Sequence, residues 1–313
     1  MMESKEKKFI SAVIYVHNAE NRIEDFLGRV IKTLEENFEH SEIICVNDYS
    51  DDNSVLLVKK ASAAAKTASI SILNMSYFHG VEMAMNAGVD LSIGDYVYEF
   101  DNTFLDFSED DIMSVYKRSL EGYDIVSASP DRREKLSSRI FYNVFDINTN
   151  IPHKMDTESF RILSRRVINR ISSMNKTVIY RKAVYANCGL KTDNIRYNPI
   201  PYDRSAVDKN EKKYRTDLAV DSLILFTDVG YRLSMTMTIV MMFISIFVAV
   251  YSVIIYVTAQ PVAGWTTTIM FLSIAFLGLF GILTIIIKYL QLLVNLTFRR
   301  KHYSFESIEK LTK

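Results

Sequence analysis

Residues 95–106 read DYVYEFDNTFLD. An apolar, aromatic-rich run delivers Asp101 to the point where the chain turns polar, with Asn102 beside it and Glu99 two residues earlier. The period-two alternation of an extended chain puts Glu99 and Asp101 on one face. Carboxylates gathered in this way hold a divalent cation or accept from N–H donors. Asp48 closes a second apolar run in IICVNDYSDDNS, and Asn18, flanked by His17 and Glu20, closes a third. Cations come later in the chain: Arg132 and Arg133, then Arg161, Arg165, Arg166, Arg170, Arg181 and Lys182, with Asp156 and Glu158 among them. Arginine forks suit bidentate contacts with phosphate. The five histidines show no metal-ligand spacing. Carboxylates at strand ends and arginines downstream are a set for holding an anionic, N–H-bearing ligand and balancing its charge.

The elements that must position these groups are legible as local patterns. Phe9–Val16, Ile43–Val46, Ile70–Leu73, Tyr96–Phe100 and Ile125–Ala128 read as strands. Helical spacing follows at Ile23, Phe26, Leu27, Val30, Ile31 and Leu34. A helix near 53–65 is expected to be capped by Ser50 or Asp51, and further helices run from Gly80 to Leu91 and through Ile112, Val115, Tyr116 and Leu120. Strands alternating with helices predict an α/β, doubly wound, mostly parallel sheet with right-handed crossovers. In such sheets ligands bind beyond the carboxyl ends of the strands. Asn18, Asp48 and Asp101 fall there.

The chain has 313 residues and no formal net charge, so no global basic field points to nucleic acid. Cys45 and Cys188 are far apart in apolar contexts, which predicts two free buried thiols. The apolar run after MMESKEKK is too short for a signal peptide, so the first 209 residues are expected to form a cytoplasmic domain. Residues 210–232 alternate apolar and charged residues, as an amphipathic juxtamembrane segment does, or a helix packed on the preceding domain. No charged residue stands between Arg232 and Lys288. Pro261 and Gly264 break this stretch into two runs, near 234–258 and 267–290, each longer than the roughly 20 residues a membrane helix needs. The alternative is a buried helix pair in a soluble protein. Trp265 suits a membrane interface, and Arg299, Arg300 and Lys301 follow the second run. These features predict two transmembrane helices over 233–295 in the plasma membrane, a tail over 296–313, and both termini cytoplasmic.

Four segments carry a family resemblance. AVIYVHNAEN resembles "IPVYNEEEN", with Tyr15 in place of the proline and His17 in place of the tyrosine. IICVNDYSDDNS resembles "VDDGSTDGT". HGVEMAMNAGVDLSIGDYVYEFD resembles "G...A.N.G...A.GD....D.D", and TESFRILSRRVINRI resembles "GFRLM.R.V". In this order they resemble the family 2 glycosyltransferases of GT-A fold, above all the membrane-anchored polyprenyl-phosphate glycosyltransferases such as dolichol-phosphate mannose synthases. The resemblance covers about residues 8–170.

It implies an inverting transfer of a sugar from a nucleotide-sugar donor to a lipid phosphate such as undecaprenyl phosphate, at the cytoplasmic membrane face, by a homo-oligomer. It assigns donor binding to His17, Asn18, Glu20, Asp48, Gly80 and Asn102, with Asp48 on the nucleobase. It assigns the acceptor phosphate to Arg132, Arg133 and Arg161, and a divalent cation, Mg²⁺ or Mn²⁺, to Asp101. The family's D-x-D-x-Q is here Asp101, Thr103 and Leu105, so Glu99 is the candidate second metal ligand, with Asp106 just beyond. Glu99 as a hydrogen-bonded core carboxylate and Asp106 as a helix-start residue are the structural alternatives. Many relatives carry an acid just before "FRL", where this chain has Ser159, which leaves Asp156 or Glu158 as candidate bases alongside Asp101. A phosphate monoester is mostly dianionic near pH 7 and needs no base, so the missing acid favours a lipid phosphate acceptor. Two other functions stay open: transfer to a lipid-linked glycan hydroxyl, and a degenerate, non-catalytic membrane protein.

Overall fold

The computed structural model describes residues 5–131, 157–173, 180–201, 229–259, 262, 264–297 and 303–312. The chain divides into two compact units, residues 1–218 with 299–313, and residues 219–298. Arg132, Arg133 and Asp156 lie outside the described residues, as does 210–228 of the expected juxtamembrane segment.

The first unit alternates as its sequence predicts: β1 (Ile10–Val16), α1 (Ile23–Asn37), β2 (Ser41–Asn47), α2 (Ser54–Ser62), β3 (Ser69–Met75), α3 (Val81–Leu91), β4 (Tyr96–Phe100), α4 (Glu109–Leu120) and β5 (Ile125–Pro130). Then come β6 (Phe160–Ser164), α5 (Arg165–Ser173), α6 (Arg181–Ala186) and β7 (Thr192–Tyr197). The sheet order is β7-β5-β6-β4-β1-β2-β3-β8, where β8 is Phe305–Lys310. β1 to β4 are mutually parallel, whereas β6 runs antiparallel to β4 and β5. Apolar residues on one face pack with α1, α2 and α4, and those on the other with α3 and α5. α3 lies close on the sheet because Gly88 leaves room for it. A Cβ there would come within 2.4 Å of Val13 and 2.6 Å of Val46. Cys45 and Cys188 are buried and free.

Two local expectations are corrected. Neither Ser50 nor Asp51 caps α2. The Ser50 hydroxyl accepts from Asn18 N–H (3.2 Å), Asp51 N–H donates to Asn18 Oδ1 (3.1 Å), and Asp52 Oδ1 takes Ser54 N–H (2.9 Å) instead. Within 296–313, residues 305–310 form β8, antiparallel to β3, so this segment is part of the sheet and no mere tail.

The second unit is a pair of helices, α7 (Val229–Ala259) and α8 (Trp265–Thr297). Ser234–Thr258 and Trp265–Leu290 are long and apolar enough to cross a membrane. Their apolar side chains point outward, Phe243, Phe247 and Phe271 being 68%, 70% and 73% exposed. A buried helix pair of a soluble protein would hide these rings. Among their described side chains, those that are buried are small and polar: Thr238, Ser245 and Ser252, seven residues apart, and Ser273. A seam of small residues lets helices approach closely in an apolar solvent, and Ser252 Oγ reaches the Thr266 carbonyl across it (3.4 Å).

Candidate active site

The sheet order makes β4, β1 and β2 neighbours, with Ile14 opposite Phe100 and Val16 opposite Asn47. Asn18, Asp48 and Asp101 therefore leave one sheet edge together. Asp48 and Asp101 then meet two different environments.

Asp48 is fully enclosed. Its Oδ1 accepts His79 N–H (2.8 Å), and its Oδ2 accepts Gly80 N–H (2.8 Å) and the Tyr15 hydroxyl (3.0 Å). Gly80 supplies that amide from φ +82°, a backbone conformation natural to glycine, just before α3. Burial pushes the Asp48 carboxyl up, against the pull of His79, Tyr15 and Gly80. The expectation that Asp48 reads a nucleobase is corrected to this extent: its oxygens tie the β3–α3 loop to β2. Around it, His17 Nδ1 lies 2.7 Å from the Asp48 carbonyl and its ring packs on Phe78 at 4.7 Å. Asn18, at φ +46°, joins the β1 and β2 loops through Ser50 and Asp51, and Glu20 Oε2 accepts from Asn53 N–H (3.2 Å) and Nδ2 (3.1 Å). What this corner shows to solvent is aromatic: Tyr49, Tyr77 stacked on His79, and part of Phe78.

Asp101 stands in a cluster of charge. Antiparallel pairing sets Arg161 of β6 directly opposite Glu99 of β4. Arg161 Nη1 donates to Glu99 Oε2 (2.7 Å), Nη2 to Asp101 Oδ2 (2.9 Å) and Nε to Glu158 Oε2 (2.8 Å). Arg181, opening α6, repeats the pattern. Its Nη1 donates to Glu99 Oε1 (2.8 Å), its Nη2 to Asp101 Oδ1, and its Nε (3.0 Å) and backbone N–H (2.8 Å) to Glu82 of α3. The Tyr185 hydroxyl adds a third donor to Glu99 (2.7 Å). Lys182 Nζ stands 3.9 Å from Glu158. Burying an ion costs several kcal/mol unless its partners are complete, and here each guanidinium has all three nitrogens on carboxylates. Burial favours the neutral acid at Asp101, but Arg161 and Arg181 outweigh it and hold the carboxyl well below the usual range. At Glu82 burial wins over Arg181 and the carboxyl is raised.

Several expectations change here. Glu99 does share a face with Asp101, but it is completely buried and braces two arginines, so it offers no ligand to a metal. Arg161 is likewise buried counter-charge and extends no fork to an acceptor phosphate. Glu158 is drawn to Arg161 and Lys182, on the rim of a cavity of about 380 Å³ beside Tyr123, Ser127 and Asp193. Asn102 Oδ1 is used in a turn, accepting Phe104 N–H (3.0 Å). Asp106 is buried on Tyr197 and Ser159, and Ser108 rather than Asp106 starts α4, in a capping box with Asp111. Sequence reasoning missed Glu82 and the pairing role of Arg181, whose partners lie 80 to 99 positions away.

Comparison with known proteins decides what this arrangement belongs to. The profile of glycosyl transferase family 2 matches residues 11–181, more than half of the chain. The chain belongs to glycosyl transferase family 2. It is 29% identical over 198 residues to an uncharacterized glycosyltransferase of Synechocystis, a match covering 61% of each chain. It thus spans less than two thirds of that curated relative. It is 25% identical over 231 residues to a prophage bactoprenol glucosyl transferase homolog of Escherichia coli K12, covering 72% of this chain and 74% of that one. A mannosyltransferase from Pyrobaculum calidifontis, solved in complex with GDP-Man and Mn²⁺, shares the fold at TM-score 0.50 and 14% identity, over 70% of this chain and 63% of that one. The sheet is accordingly of the GT-A kind.

Mn²⁺ is bound by that mannosyltransferase, whereas the described residues around Asp101 present no open shell of carboxylates for a divalent cation. Among the described residues no three His, Cys, Asp or Glu side chains gather to hold one. Both Asp101 oxygens and both Glu99 oxygens already face guanidinium or hydroxyl donors, and Thr103 is buried where the family resemblance puts a second aspartate.

Proposed function

We propose that this chain is an inverting glycosyltransferase that moves one sugar from a nucleotide-sugar donor to a polyprenyl phosphate, undecaprenyl phosphate in a bacterium. The observation that carries the reading is the union, in one chain, of a family 2 strand-end site and two outward-apolar helices of membrane-spanning length. The bactoprenol in the name of the E. coli relative supports a lipid acceptor. The helices anchor the chain in the plasma membrane as a two-span hairpin. An even number of crossings leaves both flanks on one side, and the Arg299–Lys301 cluster favours the cytoplasm.

In the reaction, an oxygen of the lipid phosphate attacks the anomeric carbon from the face opposite the nucleotide. The bond from that carbon to the diphosphate oxygen breaks, and the nucleoside diphosphate leaves with the electron pair. The acceptor is mostly dianionic near pH 7, so no base takes a proton, and Glu158 and Asp156 are not required as one. The loops bearing His17, Asn18, Tyr49 and Phe78 receive the nucleoside. The fixed Asp101 end of β4 orients the donor's sugar and phosphates beside them. Arg132 and Arg133 remain the candidates for the acceptor phosphate.

The test uses the full chain in detergent with undecaprenyl phosphate and a panel of nucleotide sugars. Release of nucleoside diphosphate from one donor, dependent on the lipid phosphate and lost in Asp101→Asn, is expected. No release from any donor overturns the reading. A second reading, donor binding without turnover, is favoured by the closed pairing around Asp101. Its mark is retention of a nucleotide sugar with no release in either protein.

A further inference from the structure

We propose that Arg161 and Arg181 stand where a divalent cation would, so that the Asp101 corner holds no metal and receives its donor without one. This rests on reading the Asp101 corner as the donor's site, and it adds to that reading the source of positive charge.

The geometry is that of an ion shell turned inward. Two carboxylates, Glu99 and Asp101, share both guanidinia, with Glu158 on the far nitrogen of Arg161 and Glu82 on that of Arg181. The oxygens of such a pair are what a hard cation would use if they stood open. Here two side-chain cations occupy them. Arg161 and Arg181 each bridge Glu99 to Asp101, one guanidinium on each side, so that all four oxygens of this pair are used. The outer groups are consumed as well, Glu82 by Nε and the backbone of Arg181, and Glu158 by Nε of Arg161. Displacing either guanidinium from Glu99 and Asp101 to admit a metal would leave it buried with one carboxylate in place of three, a costly arrangement. Nor do the residues after Asp101 compensate: Thr103 and Leu105 stand at the two positions where the resemblance puts ligands. Asp101 is the most exposed of the four, its side chain 23% exposed against 15% for Glu158, so it meets the donor as a fixed carboxylate whose charge is already balanced from behind.

The experiment is a Mn²⁺ titration of the full chain in detergent, followed by electron paramagnetic resonance, with wild type, Asp101→Asn, Arg181→Met and the double variant. Wild type is expected to bind Mn²⁺ no better than Asp101→Asn. Arg181→Met takes the guanidinium off Glu99, Asp101 and Glu82, leaving the Tyr185 hydroxyl on Glu99 and the backbone N–H of residue 181 on Glu82, and is expected to gain a Mn²⁺ site at least tenfold tighter, which adding Asp101→Asn removes. A parallel arm measures UDP and GDP binding with EDTA and with Mn²⁺, and no change that depends on Asp101 is expected. Mn²⁺ bound by wild type but not by Asp101→Asn, alone or with either nucleotide, overturns the proposal. So does a folded Arg181→Met that gains no site. If Arg181→Met does not fold, the comparison of wild type with Asp101→Asn decides. A chain that binds neither nucleotide fails the functional reading, while the titration with Mn²⁺ alone still judges this one.

Discussion

Asp48 and Asp101 are the same residue type at the carboxyl ends of two parallel strands, one β-strand apart in the sheet. The first is held by two backbone amides and a tyrosine hydroxyl, the second by two guanidinia. Burial dominates at Asp48 and raises its carboxyl, whereas paired charge dominates at Asp101 and depresses it. A neutral corner can lose one donor and keep the rest. A corner of buried charge cannot, because Glu99 and Asp101 are each shared by two guanidinia and each guanidinium by three carboxylates. The β1–β3 side should therefore tolerate substitution, and the β4–β6 side should fail as a unit.

Glu99→Gln tests this most severely. The amide keeps the shape of the side chain but removes the charge shared by Arg161 and Arg181, and it turns an N–H₂ toward one of them. Breaking a buried ion pair by removing one partner costs roughly 3–5 kcal/mol. Unfolding of the full chain in detergent should show a loss of that size, whether or not Mn²⁺ is present. A loss no larger than that of Asp48→Asn would break the contrast between the two corners.

The two corners also differ in how far the sequence disclosed them. β1 to β4 and their helices are written in local periodicities, and they carry Asp48 and Asp101 to the right edge. The face shared by Glu99 and Asp101 was legible from the strand period alone. Their partners were not. Arg161 looked like a phosphate ligand because its antiparallel pairing with Glu99 is a contact across 62 positions, and Arg181 stood as one cation in a basic region. β8 carries no strand pattern of its own, since half the residues of FESIEK are charged. Charge of this kind suits an edge strand, but nothing local distinguishes it from an exposed segment. Short-range pattern gives the scaffold, while the long-range pairing of charges decides what the site residues are free to do.

Acid sharpens the comparison, because the two aspartates have opposite linkage. An ordinary aspartate titrates at about 3.9. Asp101 lies below that when folded, so its stabilisation is present above about pH 4 and is lost as pH falls further. Asp48 lies above it, so its contribution is full below about pH 4 and declines as pH rises toward its folded value. Asp101→Asn should flatten the acid limb of a melting-temperature profile between pH 3 and 7. Asp48→Asn should do the reverse, its deficit against wild type shrinking as pH rises. Two profiles parallel to wild type would mean that neither environment is as described.

The smallest effect is expected where neutral bonds run longest. From β8, Ser307 Oγ accepts Asn74 Nδ2 (3.1 Å), Asn74 Oδ1 accepts Asn47 Nδ2 (2.9 Å), and Asn47 Oδ1 accepts Ser50 N–H (3.1 Å). Ser50 Oγ in turn accepts Asn18 N–H (3.2 Å), so the relay ends in the loop after β1. Its outer end meets solvent, where water replaces a lost partner. Ser307→Ala should then cost about 0.5–1.5 kcal/mol, the net worth of one ordinary hydrogen bond, by the same unfolding measurement. Nucleotide binding should stay unchanged, since backbone pairing of β8 with β3 survives the substitution. A loss approaching that of Glu99→Gln would show that the neutral side is as brittle as the charged one, and the distinction between them would fall.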